Sequence, residues 1–198
     1  MHFSPEAVVL GVGMGLVMSK LLSMFVQQCL FGGTGTLRGR EDSLFLNSRL
    51  VRTSMGRVRV LVREQESPIQ GKRECEWVIL IHGFAGALDV FADPNRANYA
   101  DELFALGFHV LCVDLYGHGG SDSPDTRYGA ELYASQLAEL VLLFDIPKCT
   151  LLAHSMGCAA AVTFASMHKQ RVTSLVLLSP SVSHKRFPWS MFHFSVVG

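Results

Sequence analysis

The stretch Cys149-Thr150-Leu151-Leu152-Ala153-His154-Ser155-Met156-Gly157-Cys158 decides the reading of this chain. Its first five residues form a short, almost wholly apolar run, as in a strand buried on both faces. From Ser155 to about residue 168 the chain reads as a helix. Between the two stands the pattern small-x-Ser-x-Gly, with Ala153 in the first small position. On a sharp strand-to-helix turn this pattern lifts the serine hydroxyl above the sheet edge, while small residues at 153 and 157 avoid collisions with neighbouring backbone. The amide of Met156, at the start of the new helix, then points to where an oxyanion would form. Ser155 is the candidate nucleophile, and Met156 a candidate oxyanion donor.

Outward from this turn, three more nearly continuous apolar runs occupy residues 77–81, 109–113 and 175–178. Helix candidates lie between them at residues 98–106 and 128–144. In the latter, Tyr133, Leu137, Leu140, Val141 and Phe144 recur at helical spacing, and Asp145-Ile146-Pro147-Lys148 stops the helix. Alternating strands and helices imply right-handed crossovers and an open, mostly parallel sheet, so the fold class is α/β. Upstream, residues 50–64 read as a hairpin turning at Met55-Gly56. Its Arg52, Arg57, Arg59 and Arg63 interleave with apolar residues and read as a solvated sheet face rather than an anion site.

In such sheets ligands bind at the carboxyl ends of the strands. The first buried run ends in His82-Gly83-Phe84-Ala85-Gly86, and the second in Asp114-Leu115-Tyr116-Gly117-His118-Gly119-Gly120-Ser121. With the serine turn, these three motifs, in this order, resemble the α/β-hydrolase superfamily of lipases, esterases and serine peptidases. The resemblance covers residues 50–180. It implies that the Phe84 amide supplies the second oxyanion donor and that the segment from Asp114 to Ser121 shapes a turn. His118 and His82 are then structural, and the His154 side chain projects away from the serine's pocket. Relatives that open epoxides carry Asp at the nucleophile position; Ser155 implies acyl transfer from an ester, thioester or amide, the small-molecule acyl substrate being the expected partner.

The same resemblance requires an acid and then a histidine after the serine, each following a further strand. No Asp or Glu follows Ser155, and His184 and His193 follow no further strand-like run. The chain therefore reads as a partial domain lacking the last strands, with residues 175–178 left as an exposed apolar edge. Two functions follow: a serine hydrolase that is inactive or weak in this truncated form, or a non-catalytic, membrane-tethered pseudoenzyme or interaction module. The aromatic tail at residues 187–194 reads as the remnant of a substrate-covering cap.

Of the 198 residues, 49% are apolar and 17% charged, and 17 basic residues balance 17 acidic ones. That composition excludes a disordered chain, and it lacks the basic excess of a nucleic-acid binder. Cys29, Cys75, Cys112, Cys149 and Cys158 form no CxxC pair; they read as buried free thiols, with no metal site and no cofactor implied. Residues 7–31 are almost wholly apolar around Lys20. They read as an N-terminal apolar helix long enough to span a membrane, followed by Arg38, Arg40 and Arg49, which would keep the hydrolase domain on the cytosolic side. A signal peptide and a helix buried against protein are the other readings. The expected division is an apolar segment with a Gly-rich hinge at 1–36 and the partial hydrolase domain at 37–198; no oligomeric state is indicated.

Overall fold

The computed structural model describes residues 7–10, 48–66, 75–93, 98–181 and 195–196. Its strands are β1 (Ala7–Leu10), β2 (Ser48–Thr53), β3 (Gly56–Arg63), β4 (Trp77–Ile81), β5 (His109–Val113), β6 (Cys149–His154), β7 (Val172–Leu178) and β8 (Ser195–Val196). Its helices are α1 (Asp89–Ala92), α2 (Tyr99–Ala105), α3 (Ala130–Leu143) and α4 (Gly157–Met167). The strands join in one mixed sheet in the order β2-β3-β5-β4-β6-β7-β1-β8. The four buried runs of the sequence are its parallel centre, β5-β4-β6-β7.

Each central strand is apolar on both faces because the sheet has a core on each side. Alternation along the strand divides the residues between them. Ile79, Ile81, Leu111, Val113, Leu151 and Leu175 join Leu137 and Leu140 of α3 and Phe164 of α4 in one cluster. Val78, Leu80, Val110, Cys112, Leu152 and Val176 join Leu88, Phe91, Tyr99 and Leu103 beneath α1 and α2 in the other. Asn98 caps α2 by accepting the Asp101 amide, as its place at the predicted helix start suggests.

The hairpin forms as expected, with Thr53 opposite Gly56, and β3 continues the sheet by pairing antiparallel with β5. Its face is not uniformly solvated, however. Arg59 is buried and pairs with Asp114 at 3.4 Å and Asp89 at 3.2 Å, because the loop after β5 folds over it. Arg57 does face solvent, paired with Asp122.

Two expectations for the chain ends are corrected. Residues 7–10, the first four of the run read as a helix, are a strand, and they pair antiparallel with β7 from Ala7 opposite Leu178 to Leu10 opposite Leu175. Consequently the apolar edge expected at residues 175–178 is covered. An apolar segment with two adjacent valines satisfies its amides and carbonyls as well on an unpaired strand edge as in a helix. The rest of the run, with its Gly-rich hinge and Cys29, lies outside the described residues, as do His184, His193 and the tail at 187–194. Among the described residues, no helix is long and apolar enough to cross a membrane. Cys112, Cys149 and Cys158 are buried free thiols, whereas Cys75 is partly exposed.

Leu137 is fully buried between α3 and the sheet, whereas Leu142 on the same helix is 64% exposed. Leu137→Ala should cost about 2–5 kcal/mol of unfolding free energy, and Leu142→Ala within about 0.5 kcal/mol. Urea denaturation followed by circular dichroism checks the contrast; equal losses would contradict the assigned core.

Candidate active site

The carboxyl ends of β4, β6 and β7 meet at Ser155. Its φ is +50°, the left-handed region that a side chain occupies only when its surroundings hold it there. The surroundings are specific. The Ser155 amide donates to the Leu178 carbonyl at 2.9 Å, and its carbonyl accepts from the amides of Cys158 at 3.1 Å and Ser181 at 3.2 Å. The Cys158 thiol adds a hydrogen bond to the Ala153 carbonyl at 3.2 Å, and burial pushes that thiol up to about 12, so it stays protonated as a donor. Among the described residues, four non-glycine residues have positive φ, and three of them, Ala85, Ser155 and Ser179, follow β4, β6 and β7. Backbone strain is thus concentrated at the end of the sheet where ligands bind.

Gly157 begins α4 directly against the end of β4. A Cβ there would stand on the carbonyl oxygen of His82 and 2.8 Å from that of Ile81. Gly83 approaches from the other side, and its own Cβ would lie 3.0 Å from Ser155 Cβ. The glycines at 83 and 157 therefore allow the loop after β4 to rest on the serine turn. That contact brings Phe84 beside Met156 at the mouth of one cavity of about 510 Å³. Neither the Phe84 nor the Met156 amide donates to a backbone acceptor among the described residues, whereas the nearby amides of Gly86, Ser155, Cys158 and Ala159 all do.

Beneath this surface the two motif histidines and Asp114 do structural work. Leu115 donates its amide to His82 Nε2 at 3.0 Å, so Nδ1 carries the proton and donates to the Gly83 carbonyl at 2.7 Å. Burial lowers His82 to about 4, which keeps this neutral tautomer. Asp114 is fully buried and accepts from the amides of Leu88 at 2.6 Å and Gly120 at 2.7 Å; burial pushes its carboxyl up, opposed by those amides and by Arg59. His118 Nδ1 meets the Tyr116 carbonyl at 3.0 Å, and its ring lines the cavity. His154 is half-buried beside Gly83, away from the cavity wall, and burial lowers its pKa.

The family model for the alpha/beta hydrolase fold matches residues 76–194. The chain belongs to that family. As an α/β-hydrolase it is 31% identical over 128 residues to 2-(acetamidomethylene)succinate hydrolase of Mesorhizobium japonicum, covering 64% of this chain and 41% of that one. It is 29% identical over 119 residues to Epoxide hydrolase 3 of Xenopus tropicalis, covering 58% and 31%. Among solved structures, Cfl2 from Burkholderia cenocepacia superposes with a TM-score of 0.56 at 26% identity, covering 67% of this chain and 41% of that one. The hydrolase chain described here thus spans less than half the length of each of these relatives.

Several residues that shape the site are not apparent in the motifs. Gln136 on α3 is fully buried; its Nε2 donates to the Asp114 carbonyl at 3.0 Å and its Oε1 accepts from the Tyr116 amide at 3.0 Å, tying the loop after β5 to the helix. A polar residue on the otherwise apolar stripe of a predicted helix was the available signal. Tyr128, just before α3, and Tyr133 within it line the cavity, whereas periodicity alone marks Tyr133 as core.

His82 makes the hydrolase domain acid-sensitive. Its folded pKa lies below the unfolded value near 6.5, so the unfolded chain binds the proton first and stability falls as pH drops from about 6.5 to about 4. The loss should approach about 3 kcal/mol at the lower end. The raised carboxyl of Asp114 acts in the opposite sense at lower pH. Urea unfolding between pH 7 and pH 4.5 should show a steep dependence that flattens in His82→Asn; equal slopes would contradict the assignment.

Proposed function

We propose that this α/β-hydrolase acts by acyl transfer to Ser155 from an ester, thioester or amide. The observation that carries the reading is a serine held at φ +50° between a buried strand and α4, beside two amides with no backbone acceptor among the described residues. Ser155 Oγ attacks the carbonyl carbon as its proton passes to a base. The carbonyl oxygen becomes the oxyanion, received by the Phe84 and Met156 amides at the positive end of α4. The intermediate collapses, the leaving group departs with a proton, and water later releases the acyl group from the serine. A serine rather than an aspartate at this turn favours acyl chemistry over the epoxide opening named for one relative.

Within these 198 residues no Asp or Glu follows Ser155, so the acid that would orient a downstream histidine is missing from the expected chain order. The 198-residue chain should therefore react slowly, with a nucleophile and an oxyanion site but without an oriented base. Loss of triad partners costs roughly 10⁴–10⁶ in rate, while the oxyanion site retains about 10³–10⁴ over water. A fluorophosphonate probe should label the chain over hours rather than seconds, at Ser155, and Ser155→Ala should abolish the label. Labelling that survives Ser155→Ala would overturn the nucleophile; rapid stoichiometric labelling of Ser155 would overturn the missing base.

A further inference from the structure

The cavity beside Ser155 has a chemical character that the serine does not explain. Four aromatic rings follow one another around its wall in edge-to-face contacts: Phe84 to His118 at 6.1 Å, His118 to Tyr133 at 6.3 Å, and Tyr133 to Tyr128 at 6.4 Å. Met156 and Ala159 of the nucleophile turn and α4, two glycines, Ala130 and the hydroxyl-bearing Ser123 make up the rest of the lining among the described residues. No Asp, Glu, Lys or Arg contributes to this wall among the described residues. Tyr128 is anchored at the mouth, where its hydroxyl donates to the Pro124 carbonyl at 3.0 Å, and so it offers ring surface to the cavity. His118 is held similarly: a carbonyl oxygen can only accept, so its Nδ1 donates to the Tyr116 carbonyl and its ring is fixed against the cavity wall.

We infer that this cavity binds an uncharged aromatic group attached to the carbonyl that Ser155 attacks, and excludes substrates whose corresponding group is a carboxylate. The inference rests on the acyl-transfer reading for the identity of the neighbouring carbonyl, and on the cavity alone for the chemistry of its occupant. Edge-to-face rings present both faces and edges, so an inserted ring finds complementary partners on several sides. A carboxylate would lose its hydration against ring faces of the same electrostatic sign, with no Lys or Arg on the wall to compensate. A volume of about 510 Å³ lies in the ordinary range for a small-molecule site and accommodates a phenyl group with a short linker.

The test separates binding from chemistry by using the Ser155→Ala chain, in which acyl transfer is impossible. Ligand-observed NMR titrations would compare benzyl methyl ketone, 2-butanone and levulinate, which share a methyl ketone and carry on its carbonyl a benzyl, an ethyl or a 2-carboxyethyl group. The phenyl ketone should bind at least tenfold more tightly than either of the others. Phe84→Ala and Tyr128→Ala, at side chains 79% and 41% exposed, should each weaken it severalfold without unfolding the chain. Equal affinity for the phenyl ketone and levulinate, no binding of any probe, or unchanged phenyl ketone binding in both variants would overturn the inference. Failure of Ser155 to accept a fluorophosphonate would instead overturn the acyl-transfer reading and leave these affinities standing.

Discussion

The close approach of α4 to the end of β4 is the constraint on which the rest of the site depends. Position 157 has no room for a Cβ because the carbonyl oxygens of Ile81 and His82 fill that space. With glycine there, the helix starts one residue after Met156, Ser155 is forced into left-handed backbone, and the loop carrying Phe84 rests on the turn. Moving any of these three parts displaces the other two, since Gly83 also packs closely on Ser155, where a Cβ would lie 3.0 Å from the serine's own. Interiors packed to crystal-like density transmit such displacements rather than absorbing them.

A second layer of buried polar groups fixes that geometry from below. Asp114, Arg59, His82 and Gln136 are all buried, and each makes bonds that span different elements. Asp114 joins the loop after β5 to the start of α1, His82 joins β4 to the loop after β5, and Gln136 joins that loop to α3. Burying so many polar groups is favourable only while every bond is made, because an unpaired group retains its full desolvation cost. The site is therefore held as one unit.

The centre of the fold was legible because both its signals are local. Cys149 to Ala153 can be buried on both faces only in a covered parallel strand, and Ser155 between small residues has few other uses at a strand end. Asn98 marked the start of α2 in the same way. The role of Arg59 was not legible, since an arginine alternating with valines looks the same whether it meets solvent or a buried aspartate. Nor was the fate of Ala7–Leu10: an apolar segment records its need for hydrogen bonds and not the partner, and the open edge of β7 lies more than 160 residues away. The cavity is not legible in the sequence for a related reason. Phe84, His118, Tyr128 and Tyr133 belong to three separate segments, and only the folded chain sets their rings side by side.

The claim that these constraints produce a site for acyl transfer meets its most direct test in the structure of the chain after fluorophosphonate treatment has run to completion. The account predicts phosphorus bonded to Ser155 Oγ, with one phosphoryl oxygen about 2.7–3.1 Å from the amides of both Phe84 and Met156. A phosphoryl oxygen turned to solvent, or an adduct on any other residue, would contradict it.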